Sequence, residues 1–158
     1  MRVGIAGYGV VGKTRHISIE KNTPFQIIAV SESNKETQKD IPTGIEIFDT
    51  YQDLIADAEL DIIFISLPNK FAAEATSLSL QKGLHVFCEK PPARTLSELI
   101  SVQNILSKHP NLKLMYGFNH RFHLSVEEAK SIVNKNTLGK IINMKGVYGK
   151  SQMISFNQ

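Results

Sequence analysis

Short runs of almost wholly apolar residues recur along this chain at 2–6, 25–31, 46–48, 61–66, 85–88 and 113–118, and they constrain the fold more than any other feature. Each is too short for a helix that packs on a core. The segments between them carry apolar residues three and four apart, so strands alternate with helices. Continuous rather than alternating apolar character implies burial on both faces, as in a parallel sheet covered by helices. The predicted fold class is therefore α/β, a doubly wound parallel sheet followed by the start of a second, incomplete α/β domain.

The intervening helices carry start and stop signals. Thr95-Leu96-Ser97-Glu98 and Ser125-Val126-Glu127-Glu128 each fit a capping box, the second opening a helix that runs towards Asn134. Leu96, Leu99, Ile100, Val102 and Leu106 form an apolar stripe expected to face the sheet. Phe71, Ala75 and Leu78 mark a helix face, and Gly83 is suited to end that helix. Beyond Gly117, Ile142, Met144, Gly146 and Tyr148 alternate with Asn143, Lys145 and Val147, the period of a strand in a different sheet. The sequence ends soon afterwards, at Gln158. A lone strand leaves its backbone groups unpaired, so we expect residues 1–120 to form one domain. Residues 121–158 would begin a second, truncated domain or pair with another subunit.

With 158 residues, 42% of them hydrophobic, the chain has enough apolar side chains for a core. Its 18 Lys and Arg against 15 Asp and Glu are scattered without a dense basic patch, which argues against a nucleic-acid partner. No apolar run approaches the roughly 20 residues needed to cross a bilayer, so no membrane partner is expected. The N-terminus runs straight into a strand without a secretion signal, and a single cysteine, Cys88, cannot form an internal disulfide. Both features predict a cytoplasmic protein. No spacing of His and Cys suggests zinc, so no metal is expected, and Cys88 ends an apolar strand as a packed side chain would.

Gly7-Tyr8-Gly9-Val10-Val11-Gly12 has the pattern G-x-G-x-x-G, directly after a strand and at the opening of a helix. There the first glycine permits a tight turn, the second lets the backbone approach a pyrophosphate, and the third allows helix and strand to pack closely. Glu32 follows about twenty residues later at the end of the second strand, where a carboxylate accepts hydrogen bonds from ribose hydroxyls. A 2′-phosphate would meet like charge at Glu32, so NAD is preferred over NADP. NADP stays possible, because Ser33, Asn34 and Lys35 could hold a phosphate if Glu32 turned outward. Leu67-Pro68-Asn69, after the fourth strand, is either a contact for the nicotinamide-side ribose or a plain strand-to-helix turn capped by Asn69. Glu89-Lys90-Pro91-Pro92 puts a charged pair at the end of the fifth strand. Lys90 there either stabilises negative charge on a reacting oxygen, acts as a base if burial lowers its pKa, or simply pairs with Glu89.

Taken together with Tyr116-Gly117-Phe118-Asn119-His120-Arg121-Phe122, these motifs resemble the glucose-fructose oxidoreductase and inositol dehydrogenase (Gfo/Idh/MocA) family in order and spacing throughout the chain. The resemblance implies an NAD(P)-dependent oxidoreductase that moves hydride between a secondary alcohol carbon and nicotinamide. Its small-molecule substrate would be a sugar, cyclitol or nucleotide sugar. It implies a catalytic role for Lys90, cofactor contacts by the glycine motif, Glu32, Leu67, Pro68, Asn69, Glu89 and Lys90, and substrate contacts by Lys90, Asn119 and Arg121. It also implies a homo-oligomer formed through the second-domain sheet. Phe71 departs from the family, many of whose members have histidine there, and the family's usual histidine acid/base would lie beyond Gln158. On that basis this chain is expected to be a cofactor-binding fragment, the alternative being a non-catalytic dinucleotide-binding or redox-sensing module.

Overall fold

The computed structural model describes residues 1–147 and 149, and its contacts divide the chain into two compact units, Met1–Phe118 and Asn119–Gln158. In the first, the apolar runs form β1 (Arg2–Ala6), β2 (Gln26–Ser31), β3 (Glu46–Phe48), β4 (Ile62–Ile65), β5 (His85–Cys88) and β6 (Leu114–Tyr116). They make one six-stranded sheet in the order β3-β2-β1-β4-β5-β6, and every neighbouring pair is parallel. The strand order reverses at β1, between β2 and β4, and at such a switch point the connecting loops diverge and leave a crevice beyond the carboxyl ends of the strands. All six expected strands form, the second, fourth and sixth with trimmed ends.

The connections are α1 (Val10–Asn22), α2 (Lys35–Gln38), α3 (Tyr51–Asp57), α4 (Asn69–Gln81) and α5 (Leu96–Leu106). On one face, Val3, Ile5 and Val30 pack with Ile19 of α1. On the other, Ala6, Ile63, Ile65, Val86 and Cys88 pack with Leu54 of α3, Leu80 of α4 and Val102 of α5. Two covered faces explain the uninterrupted apolar runs of the central strands. The edge strands β3 and β6 leave Ile47 and Met115 exposed.

The capping box at Thr95 forms, with the Glu98 amide donating to Thr95 Oγ1 at 3.3 Å and the Glu98 carboxylate accepting from the Arg94 amide at 2.8 Å. The α5 stripe is narrower than its sequence suggests. Leu99, Val102 and Leu106 face inward, but Leu96 and Ile100 are exposed. At about 100° per residue the buried face centres between Val102 and Leu106, and those two leucine and isoleucine positions rotate out of it. In α4 the buried positions other than Leu80 are small, among them Ala72, Ala75, Thr76 and Ser79, and both hydroxyls bond back to the helix carbonyls of Ala72 and Ala75. Gly83, with φ of 89°, ends that helix as expected.

The second unit has a 3₁₀ turn, Asn119–Phe122, and α6 (Leu124–Asn134). Here the expected capping box does not form. His123 is the N-cap, its carbonyl accepting from the Val126 and Glu127 amides at 2.9 Å, and Ser125 lies inside the helix. Residues 141–147 form no strand, which corrects the reading from alternation; Tyr148 lies outside the described residues. The alternation supplies a two-faced pattern, but a strand needs a hydrogen-bonding neighbour. Among the described residues of this unit there is no sheet.

Candidate functional site

The turn after β1 is built from glycines that meet three different demands. Gly7 has φ of +88°, and a Cβ there would stand 2.8 Å from the Ser66 carbonyl oxygen. Its amide donates to the Ser31 carbonyl at 2.9 Å, so the turn is tied to β2. A Cβ on Gly12 would stand 2.1 Å from the Gly7 carbonyl, whereas one on Gly9 would meet nothing within 4 Å. Packing therefore requires two of the glycines. The third faces open space, where a ligand can approach the backbone.

Tyr8 is buried under this turn, its hydroxyl 2.9 Å from His16 Nδ1, while His16 Nε2 lies 3.1 Å from Glu20 Oε1. His16 therefore occupies a core position of α1 with both ring nitrogens engaged. Val10 and Val11 are exposed at the start of α1, whose first amides have no acceptor within the helix and bear its partial positive charge.

Glu32 reaches this turn from the end of β2. One carboxylate oxygen accepts from the Tyr8 amide at 3.0 Å and the other from the Asn34 amide at 2.9 Å. A carboxylate has about four acceptor positions, so roughly two remain for a ligand. The outward-turned alternative is not the observed one. Asn34 instead caps α2, its side chain accepting from the Glu36 and Thr37 amides, and Lys35 pairs with Asp49.

Gly7, Gly9, Glu32, Leu67 and Pro68 line one cavity of about 510 Å³, together with Asp49, Thr50, Tyr51, Ser66 and Phe71. Ser66 Oγ is buried there without a hydrogen-bond partner, as is Tyr51 Oη, and burial pushes the Tyr51 phenol up to about 12. An unpaired buried hydroxyl beside a carboxylate and exposed backbone suits a ligand rich in hydroxyls and phosphates. The residues thus fit a dinucleotide. Ser66, Asp49 and Tyr51 did not stand out in the sequence, because a strand-end serine and the first residues of a loop and helix lack any distinguishing spacing.

Other candidate residues do not line this cavity. Asn69 is exposed as the first residue of α4 and makes no side-chain cap. The Glu89 carboxylate belongs to Arg15 of α1, whose Nε donates at 2.7 Å and whose Nη2 donates to the same oxygen. Arg15 also lies over the Phe87 ring at 5.0 Å. Glu89 therefore ties α1 to the end of β5 and forms no pair with Lys90. The Lys90 side chain is exposed at that end, outside the ion pairs of the described residues. Asn119 and Arg121 are exposed in the 3₁₀ turn of the second unit, Arg121 beside Phe122 and Lys130 in a surface depression.

Cys88 is fully buried, and burial pushes its thiol up to about 11. At pH 8 it is then protonated and shielded, so iodoacetamide should label it only when the chain unfolds. Mass spectrometry with and without denaturant checks this; labelling of the native chain at the rate of a small-molecule thiol would contradict it.

A parallel sheet in this strand order, with a glycine turn, an acidic residue at the end of β2 and a helix start meeting in one cavity, defines a dinucleotide-binding domain of the Rossmann type. The family described as "Oxidoreductase family, NAD-binding Rossmann fold" (GFO_IDH_MocA) matches residues 1–118, and the chain belongs to it. Among curated relatives, it is 29% identical to D-glucoside 3-dehydrogenase of Escherichia coli, over 89% of this chain and 41% of that protein. It is 30% identical to D-xylose 1-dehydrogenase (NADP(+)) 2 of Haloferax volcanii, over 90% of this chain and 43% of that one. Scyllo-inositol dehydrogenase from Lactobacillus casei, solved with NAD(H) and scyllo-inositol, superposes with a TM-score of 0.79 at 28% identity, covering 88% of this chain and 42% of that chain. The chain thus spans about two fifths of the length of the proteins it matches. Among the described residues, no helix is long and apolar enough to cross a membrane.

Proposed function

We propose that this chain binds NAD in the 510 Å³ cavity and forms the cofactor-holding part of a dehydrogenase acting on a secondary alcohol of a sugar or cyclitol. The observation that carries the reading is the Glu32 carboxylate, fixed by the amides of Tyr8 and Asn34 on the wall of a cavity that also exposes Gly9. Glu32 accepts the ribose hydroxyls, the first amides of α1 receive the pyrophosphate, and Ser66 Oγ offers its unpaired hydroxyl to the bound molecule. Leu67 and Pro68 form a rigid wall on the nicotinamide side. When bound, nicotinamide supplies the hydride acceptor.

In this reading Lys90 holds positive charge where negative charge gathers on the reacting oxygen. Glu89 acts indirectly: paired with Arg15, it holds the middle of α1 and the end of β5 together. The relatives named for a glucoside, a xylose and an inositol support a polyol as substrate.

Calorimetric titration of the chain with NADH and NADPH tests the proposal. One site per chain with tighter binding of NADH is expected, and absence of binding by both dinucleotides would refute it. In protein that oxidises a polyol, Lys90→Met should lower kcat by about 10²- to 10³-fold while leaving the Kd for NADH nearly unchanged. Binding of NADH with no polyol oxidation by any chain that contains this one would instead favour a redox-sensing module.

A further inference from the structure

The cavity wall contains a second carboxylate that the glycine motif does not account for. Asp49, the residue after β3, lines the cavity with Glu32 and Ser33. Its Oδ1 accepts from Lys35 Nζ at 2.5 Å and from Gln38 Nε2 at 2.8 Å. Gln38 Nε2 also donates to the Glu32 carbonyl oxygen at 2.5 Å. Lys35 and Gln38 are the first and last residues of α2, so this turn of helix is clamped between the ends of β2 and β3.

The clamp has an electrostatic result. Lys35 is the first cation after Glu32 in the chain, and its ammonium is bonded to a residue of the cavity wall. A basic side chain there is what a 2′-phosphate, carrying a charge of about −1.5 to −2, would need. Asp49 engages it instead. The carboxyl is held below the usual carboxylate range, first by its hydrogen bond from Lys35 and then by that from Gln38, so the group remains charged at neutral pH. Glu32, Asp49 and Lys35 together carry a net negative charge; without the Asp49 charge they would sum to zero, with the Lys35 ammonium released from its ion pair.

We infer that Asp49 is a specificity-determining residue that, by occupying Lys35 and adding its own charge beside Glu32, selects a dinucleotide with a 2′-hydroxyl over one with a 2′-phosphate. The inference rests on reading the cavity as the dinucleotide site. It adds a residue on a different strand and loop from Glu32, and it assigns the lysine a latent role. The Haloferax volcanii relative named for NADP(+) indicates that cofactor choice varies among similar proteins.

The test compares Kd for NADH and NADPH by calorimetry at low and high salt in the wild-type chain, Asp49→Asn, and Asp49→Asn with Lys35→Gln. Asparagine keeps an oxygen to accept from Gln38, and the N-cap of α3 is Thr50, so D49N leaves the local helix starts in place. D49N should shift the NADPH/NADH affinity ratio towards NADPH by about three- to tenfold at low salt. The shift should shrink at high salt, since both charged groups are largely exposed, and it should revert when Lys35 is also replaced. A ratio unchanged in D49N, or a shift that survives removal of Lys35, overturns this inference while NADH binding by the wild-type chain leaves the cavity reading standing. Failure of the wild-type chain to bind either dinucleotide overturns both.

Discussion

A Gly12→Ala chain should lose much of its stability, while Gly9→Ala should fold normally and lose its affinity for NADH. In an exposed helix interior, alanine in place of glycine stabilises by about 1 kcal/mol. At Gly12 that gain is overwhelmed, because the added methyl would stand 2.1 Å from the Gly7 carbonyl oxygen and 3.0 Å from its carbon. Both atoms are backbone in a turn pinned by the Gly7 amide to Ser31, so relief requires α1 to move away from β1. That movement would open contacts of Ile19 with Val3 and Ile5, and a cost of about 3 kcal/mol or more is expected. Thermal unfolding followed by circular dichroism should show a Tm at least about 6 °C lower. At Gly9 the φ of −67° is open to any residue and the methyl meets no protein atom within 4 Å. Stability should therefore change by no more than about 1 kcal/mol, the difference between glycine and alanine at an N-cap. NADH affinity should fall by about tenfold or more, because the methyl occupies the approach to the backbone. An unchanged Tm for G12A, or undiminished NADH binding by G9A, would contradict the roles assigned to these glycines.

The contrast between those two positions also indicates what a sequence can disclose. The glycine motif was legible because its demands are local: a turn, a close helix-to-strand contact and an open backbone within a few residues. Glu32 was legible because the length of one strand-helix-strand unit fixes its distance from the motif. Arg15 was not legible as the partner of Glu89, since the two are far apart in the chain and only the register of β5 against β4 and the position of α1 bring them together. The adjacent Lys90 was the more obvious partner in sequence. The same limit applies to Asp49, which reaches the cavity only because β3 lies beside β2. Leu96 and Ile100 were misread because apolar character reports a tendency to be covered, whereas the sheet in this unit covers only one side of α5. The alternation at 142–147 shows the complementary limit, for a two-residue period without a partner ladder among the described residues does not make a sheet.

Replacing Glu32 should have the second large effect, because this side chain acts both on the fold of the turn and on the ligand. Tyr8 is almost fully buried, and Glu32→Ala leaves its amide without an acceptor, which costs about 1–3 kcal/mol. The Asn34 amide is exposed and can bond to water, so its loss adds little. The same substitution removes the charged acceptors for two ribose hydroxyls, each such hydrogen bond contributing about 1.5–3 kcal/mol. NADH affinity should therefore fall by at least about 100-fold, more than the stability change alone would produce. Glu32→Gln separates the two effects. Its single carbonyl oxygen can still accept from Tyr8, but its amide group then faces the Asn34 donor and retains fewer sites for ribose. Stability should be close to wild type and affinity reduced. If E32A unfolds at the wild-type temperature, the Tyr8 amide does not depend on this carboxylate; if it binds NADH as tightly as before, the ribose lies elsewhere. Either result would break the link between the turn after β1 and the end of β2 on which cofactor recognition here is built.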